Sequence, residues 1–239
     1  MYVETYETYS TVPEEKLENK VVVVIDTLRM SSVITTALAN GAKEVIPVAE
    51  IEDAVRLAKY LERNSFLLGG ERNGAKIEGF DLSNSPFEYK VDVVKNKTII
   101  ITTTNGTKAL KKASISDDVI IGCLLNASAV ADYLFNKNKD IVIICAGTKG
   151  KFSIDDIITA GAIYDKLKNK ISFDSDDLSK ASYFLYQMFQ NDIPSILKES
   201  IPFSIMKRLG YENDLPYCAS IDTFYILPKY NSNRGSIVR

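Results

Sequence analysis

Histidine is absent from this chain. That absence removes phosphohistidine chemistry, Ser-His-Asp and Cys-His hydrolysis, and imidazole-ligated metals together. Acid–base work must fall to Asp, Glu, Lys, Cys, Tyr or metal-bound water. Cysteine is scarce: Cys123, Cys145 and Cys218 are odd in number and lack C-x-x-C spacing. This argues against a disulfide framework and a structural zinc site, and for a reducing cytoplasm. Residues 1–10 have no apolar h-region, and no apolar run in the chain approaches bilayer-spanning length, so a soluble, unexported protein is expected. Charge of one sign is lacking too. Lys+Arg 29 against Asp+Glu 31 leaves a net charge of -2, with no global field toward nucleic acid or an anionic membrane. Any anion site must be local. The G-x-x-x-x-G-K-[ST] and G-x-G-x-x-G signatures of nucleotide binders are missing as well.

What is present is enough to bury a substantial core. The 239 residues are 46% hydrophobic, a length that fits one large α/β domain or two intimately packed halves. The β-branched run 21–25 predicts a strand covered on both faces, followed by a helix over 31–40, a strand over 44–49, an amphipathic helix over 51–62 and a strand over 65–68. The same grammar returns about 77 residues later: strands over 98–101, 118–123 and 140–145 enclose helices over 108–113 and 127–135. Asp26 is echoed by Thr103 and Gly70 by Gly147, which predicts a degenerate internal duplication with halves at about 20–97 and 98–170. A long helix over 154–168 closes the second half, and a C-terminal segment, 171–239, follows with a helical region to 190, short helical pieces, a strand over 223–227 and a polar tail. The expected architecture is a single layered α/β/α domain over 1–239, built on a mixed, largely parallel sheet.

Polar clusters arrive just after these strand-like runs. Asp26-Thr27-Leu28-Arg29 offers a metal-binding carboxylate beside a phosphate-binding fork, or equally an N-cap with a surface arginine. Gly69-Gly70-Glu71-Arg72-Asn73-Gly74 lets backbone approach a ligand with Glu71 and Arg72 turned inward; a plain turn uses the same letters. Thr102-Thr103-Thr104-Asn105-Gly106-Thr107, at a strand-to-helix junction, reads as an anion nest. Gly147-Thr148-Lys149 brings an ammonium group, with Asp155 and Asp156 following as metal candidates or as first-turn carboxylates. Asn126 and Ser128 stand at a helix start, where either a ligand contact or a cap is expected. Open α/β sheets bind ligands at the carboxyl ends of their strands, where these clusters would meet.

Taken in order, Asp26 to Arg29, the 69–74 cluster, residues 78–86, residues 102–110, residues 122–129, Cys145-Ala146-Gly147-Thr148 and residues 214–222 resemble the motifs of the 2-phosphosulfolactate phosphatase family. The resemblance implies a Mg²⁺-dependent acid-type phosphatase that hydrolyses 2-phospho-3-sulfolactate to 3-sulfolactate and phosphate in coenzyme M biosynthesis. On that reading Asp26, Glu71 and Asp156 hold the metal, and Arg29 with the backbone of residues 103–107 holds the phosphate. Arg72 and Lys149 then hold the sulfonate or carboxylate end, with Gly69, Gly70, Asn126, Ser128 and Gly147 lining the substrate. The expected partner is a small anionic molecule, with neither nucleic acid nor membrane, and with homo-oligomer formation left open. Two rival readings remain: a non-catalytic binder of small phosphorylated or sulfonated acids, and a phosphatase for another phosphorylated hydroxyacid.

Overall fold

The computed structural model describes residues 1–239. Its strands are β1 (Tyr2–Tyr6), β2 (Val21–Ile25), β3 (Glu44–Pro47), β4 (Phe66–Arg72), β5 (Ala75–Lys76), β6 (Thr98–Thr102), β7 (Asp118–Gly122), β8 (Ile141–Cys145), β9 (Asp174–Ser175), β10 (Lys229–Asn231) and β11 (Ser236–Val238). The helices are α1 (Met30–Ala39), α2 (Ile51–Ala58), α3 (Val91–Val94), α4 (Gly106–Ala113), α5 (Ala127–Lys137), α6 (Ile154–Lys168), α7 (Asp177–Phe189), α8 (Ile193–Leu197), α9 (Ile201–Arg208) and α10 (Asp214–Cys218). All strands join one sheet in the order β5-β4-β6-β3-β11-β10-β7-β2-β8-β1-β9. Pairing is parallel except where β5, β10 and β11 take part.

β2 shows why the strand-forming runs are continuously apolar. Side chains alternate across a strand, so Val22 and Val24 enter one core with α1 and α4, while Val21, Val23 and Ile25 enter another with α5 and α6. No position on β2 faces water. Helices therefore cover both faces of the sheet, as the sequence predicts for a largely parallel α/β architecture.

Strand order interleaves the two expected halves. β2 pairs with β7 and β8 from the second, and β6 pairs with β3 and β4 from the first. The halves are thus not separate units, and the strand order does not establish a duplication. Four strands lie between β6 and β2 in the sheet, yet Thr103 after β6 hydrogen-bonds to Met30 Sδ just beyond β2 at 3.4 Å. The sheet curves far enough to bring these strand ends together.

Several expectations are corrected. Tyr2–Tyr6, where the sequence assigns no element, form β1, which pairs with β8. Residues 223–227 make no strand; the tail forms the β10–β11 hairpin instead, inserted between β7 and β3. Its Ile237 is fully buried opposite Val45, a long-range partner that a polar local sequence does not announce. The expected helix over 51–62 stops at Ala58. The expected strand over 65–68 runs on to Arg72, and that extension governs the site described next.

Candidate active site

The ends of β2, β4, β6 and β8 and the start of α6 surround a cavity of about 280 Å³. Its acidic wall consists of Asp26, Glu71, Asp155 and Asp156, and its cations are Arg29, Lys149 and Arg208. Asp26 follows the last residue of β2, and its Oδ1 accepts the Met30 N–H at 3.2 Å, so the carboxylate is tied to the first turn of α1. Asp155 and Asp156 lie in the first turn of α6, where the helix dipole favours negative charge. Asp156 accepts from Thr27 N and Gly147 N, both at 2.9 Å, which links the β2 and β8 loops. Asp155 accepts from Leu28 N at 3.2 Å and from the Ser153 hydroxyl at 2.5 Å.

These carboxylates are crowded. Burial, then the neighbouring charges of Asp155 and Glu71, pushes Asp26 up to about 7 despite the Met30 N–H. Burial likewise raises Asp155 to about 6, against its hydroxyl and backbone donors. Asp156 is raised well above the usual carboxylate range by burial and by the charges of Asp155 and Asp26. A cation among them would relieve both desolvation and mutual repulsion.

The donor set suits a hard divalent ion, since it offers carboxylate oxygens and no sulfur or imidazole. No three acidic residues are already gathered as a coordination set, but Mg²⁺ commonly takes only one or two carboxylates and completes its shell with water and substrate oxygens. Asp26, Asp155 and Asp156 all line the cavity and offer carboxylate oxygens of that kind. Glu71, expected among the metal ligands, is engaged otherwise: Oε1 accepts Thr104 N at 2.6 Å, and Oε2 accepts Gly74 N at 2.6 Å and the Thr104 hydroxyl at 3.0 Å. It clamps the β4 loop to the β6 loop.

Arg72 is a positional correction. Consecutive residues of a strand point to opposite faces, and β4 still extends through Glu71 and Arg72. Glu71 therefore reaches the cavity wall while Arg72 turns away, donating to Ala49 O and Thr102 Oγ1, both at 2.8 Å. Gly69 and Gly70 also lie behind the wall. Gly70 has φ +131, and an added Cβ would overlap the Thr102 backbone, so its role is the close approach of β4 to β6. In the threonine cluster, Thr104 and Asn105 line the cavity. Thr103 and Thr107 are buried and bond to each other's chain segments, through Thr107 N to Thr103 Oγ1 at 3.2 Å and Thr107 Oγ1 to Thr103 O at 2.9 Å. Gly106 abuts Asp26 from the start of α4.

Arg29 is only 2% exposed, and its Nη1 meets Asp214 Oδ2 at 2.6 Å while Nη2 donates to Gly74 O at 3.1 Å. It lines the cavity and at the same time ties α10 to the β4 loop. Gly147 and the exposed Lys149 line the cavity as expected. Asn126 and Ser128 do not. Asn126 is buried, accepting from Cys123 N and donating to Ile121 O and Ile226 O, and Ser128 binds Asp222.

Sequence reasoning missed the contribution of α9, which supplies Pro202, Ile205, Met206 and Arg208. It also assigned no role to Asn73 or Asn84, although both lie inside clusters it singled out. Asn84 sits in the Ser83-Asn84-Ser85-Pro86 stretch, a signal that was legible. Arg208 carried none, because only the folded chain brings α9 to the strand ends.

The family model described as 2-phosphosulpholactate phosphatase matches residues 6–233. A protein of Caldanaerobacter subterraneus subsp. tengcongensis is 60% identical over 239 residues, covering 100% of this chain and 98% of that protein. One from Clostridium tetani is 48% identical over 221 residues, 92% of this chain and 94% of its own. One from Clostridium acetobutylicum is 44% identical over 222 residues, with the same two shares. All three are named "Probable 2-phosphosulfolactate phosphatase". With a family match across nearly its whole length and relatives this similar, the chain belongs to the 2-phosphosulfolactate phosphatase family.

Proposed function

We propose that this chain is a phosphoric monoester hydrolase that cleaves 2-phospho-3-sulfolactate to 3-sulfolactate and phosphate, as a step of coenzyme M biosynthesis, and that it requires Mg²⁺. The observation that carries the reading is one cavity holding a crowded carboxylate wall and three cationic side chains at the carboxyl ends of parallel strands, in a chain of this family. A non-catalytic anion binder has no use for such a wall, which repels its ligand unless a cation intervenes.

Asp26 and Asp155 are assigned to the metal, with Asp156 orienting the loops that carry them. Bound there, Mg²⁺ supplies Lewis-acid stabilisation of the charge on the phosphoryl oxygens. The chain's own residues do the rest. Asn105, the residue before α4, presents its backbone N–H to the phosphate while the Thr104 N–H is held by Glu71, and Arg29 contributes the guanidinium donors that Asp214 and Gly74 leave free. Lys149, exposed at the rim, draws the multiply charged ester in. Water attacks phosphorus in line as the ester P–O bond breaks, and the proton that the water gives up passes to the leaving alkoxide to form the sulfolactate hydroxyl. Glu71 keeps the β4 and β6 loops at fixed separation, so that phosphate and metal subsites hold register.

Phosphate release from 2-phospho-3-sulfolactate, 2-phospholactate and an aryl phosphate tests the reading, each with Mg²⁺ and after EDTA. The expected result is release that EDTA abolishes and Mg²⁺ restores, with preference for the sulfonated ester. Full activity in thoroughly demetallated protein would remove the metal from the proposal, and ester binding without phosphate release would make the protein a binder.

A further inference from the structure

The proposed substrate carries a sulfonate as well as its phosphate and carboxylate, and the acidic wall cannot take a second remote anion. The opposite chemistry is offered by α9. Gly74, with φ +85, faces this helix so closely that an added Cβ would lie 2.6 Å from Ile205 Cγ2 and 3.0 Å from Leu209 Cδ1. Arg29 secures the same segment from below, bonded to Asp214 and Gly74 O and lying 4.3 Å from the centre of the Tyr211 ring. The α9–α10 stretch is thus held against the β4 loop, and its last helical turn brings Arg208 to the cavity.

Arg208 is exposed and enters none of the chain's ion pairs. Arg29, by contrast, is committed to Asp214. A second, independent feature lies on the same cavity: Asn84 is 3% exposed, and its Oδ1 has no hydrogen-bond partner. A buried acceptor left unpaired is destabilising, so at a cavity wall it points to an amide that turns its Nδ2 end toward an anionic ligand on binding.

Resting on the phosphatase reading, we propose that Arg208 and Asn84 form the subsite for the substrate's sulfonate and so set the preference for sulfonated over unsulfonated phosphoesters. A sulfonate is ionised throughout the physiological range and spreads its charge over three oxygens. The planar guanidinium fork of Arg208 matches two of them. The Asn84 amide, turned so that Nδ2 takes the place of the unpaired Oδ1, donates to the third. Phosphate transfer takes place elsewhere in the cavity, so this contact acts by positioning the ester.

The test is kcat/KM for wild type, Arg208→Met, Arg208→Lys and Asn84→Ala on 2-phospho-3-sulfolactate and on 2-phospholactate, the same ester with hydrogen in place of the sulfonate. Arg208→Met should lose on the order of 10²-fold on the sulfonated ester, mostly through KM, and at most about threefold on 2-phospholactate. Arg208→Lys should recover part of that loss, because charge returns without the fork. Asn84→Ala should lose about tenfold with the same substrate bias. Inhibition by 3-sulfolactate should weaken in step. Proportionate losses on both esters, or an unchanged preference in Arg208→Met, would overturn the subsite while leaving the phosphatase reading intact. A wild-type enzyme that does not cleave the sulfonated ester overturns both.

Discussion

At the scale of single residues, Arg29 carries more structural duty than its surroundings in the sequence suggest. Its guanidinium and the Asp214 carboxylate are 2% and 3% exposed, so removing one leaves the other buried and uncompensated. Arg29→Met should destabilise the fold by about 3–5 kcal/mol, read as a lowered denaturant midpoint. Arg29→Lys keeps the charge but cannot reach Asp214 and Gly74 O as a fork, and should lower kcat/KM by on the order of 10²-fold. A lysine variant with wild-type kinetics would return Arg29 to a purely electrostatic role.

The carboxylate wall gives a second residue-scale prediction. Asp26 and Asp155 titrate at about 7 and about 6, above the ordinary Asp value of about 3.9. The native state therefore binds their protons more tightly than the unfolded chain does. Their contribution to stability is complete below about pH 4 and is lost as pH rises through 6 to 7. A divalent cation favours the ionised form, so added Mg²⁺ should raise Tm more at about pH 8 than at about pH 5. Differential scanning fluorimetry across that range measures it, and an equal Mg²⁺ effect at both pH values would separate these groups from the metal.

At the scale of elements, β4 and α9 decide what the cavity contains. The extension of β4 through Arg72 separates Glu71 from Arg72 by strand alternation, which a reading of Gly-Gly-Glu-Arg as a loop cannot foresee. α9 depends on Gly74. Gly74→Ala places a side chain at φ +85 and against Ile205, so it should cost about 1–2 kcal/mol and loosen the helix. Hydrogen exchange of the amides in residues 201–208 should quicken, with KM for the sulfonated ester rising as Arg208 moves. Unchanged exchange there would mean that α9 is held by other contacts.

At the scale of the whole molecule, the β10–β11 hairpin closes the sheet between β7 and β3. Removal of residues 229–239 would leave two interior strands with unpaired edges and expose the pocket that receives Ile237. The truncated chain should lose its cooperative thermal transition or aggregate, which calorimetry and size-exclusion chromatography would show. A well-folded truncated monomer would mean that β3 and β7 pair directly.

The sequence by itself determined the α/β class, the strand-forming runs, the positions of the main helices and the loops that carry Asp26, Thr104, Lys149 and Asp155. These are written in local periodicity, in cap residues and in polar clusters that follow apolar runs, all of which act over a few residues. Only the tertiary structure decided that Arg72 faces away, that Glu71 clamps two loops, that the polar tail completes the sheet, and that α9 brings Arg208 to the cavity. Each of these depends on contacts between segments far apart in the chain, such as Arg29 with Asp214 and Ile237 with Val45. Such pairings are selected by how the curved sheet closes on its helices, and no window of sequence encodes them.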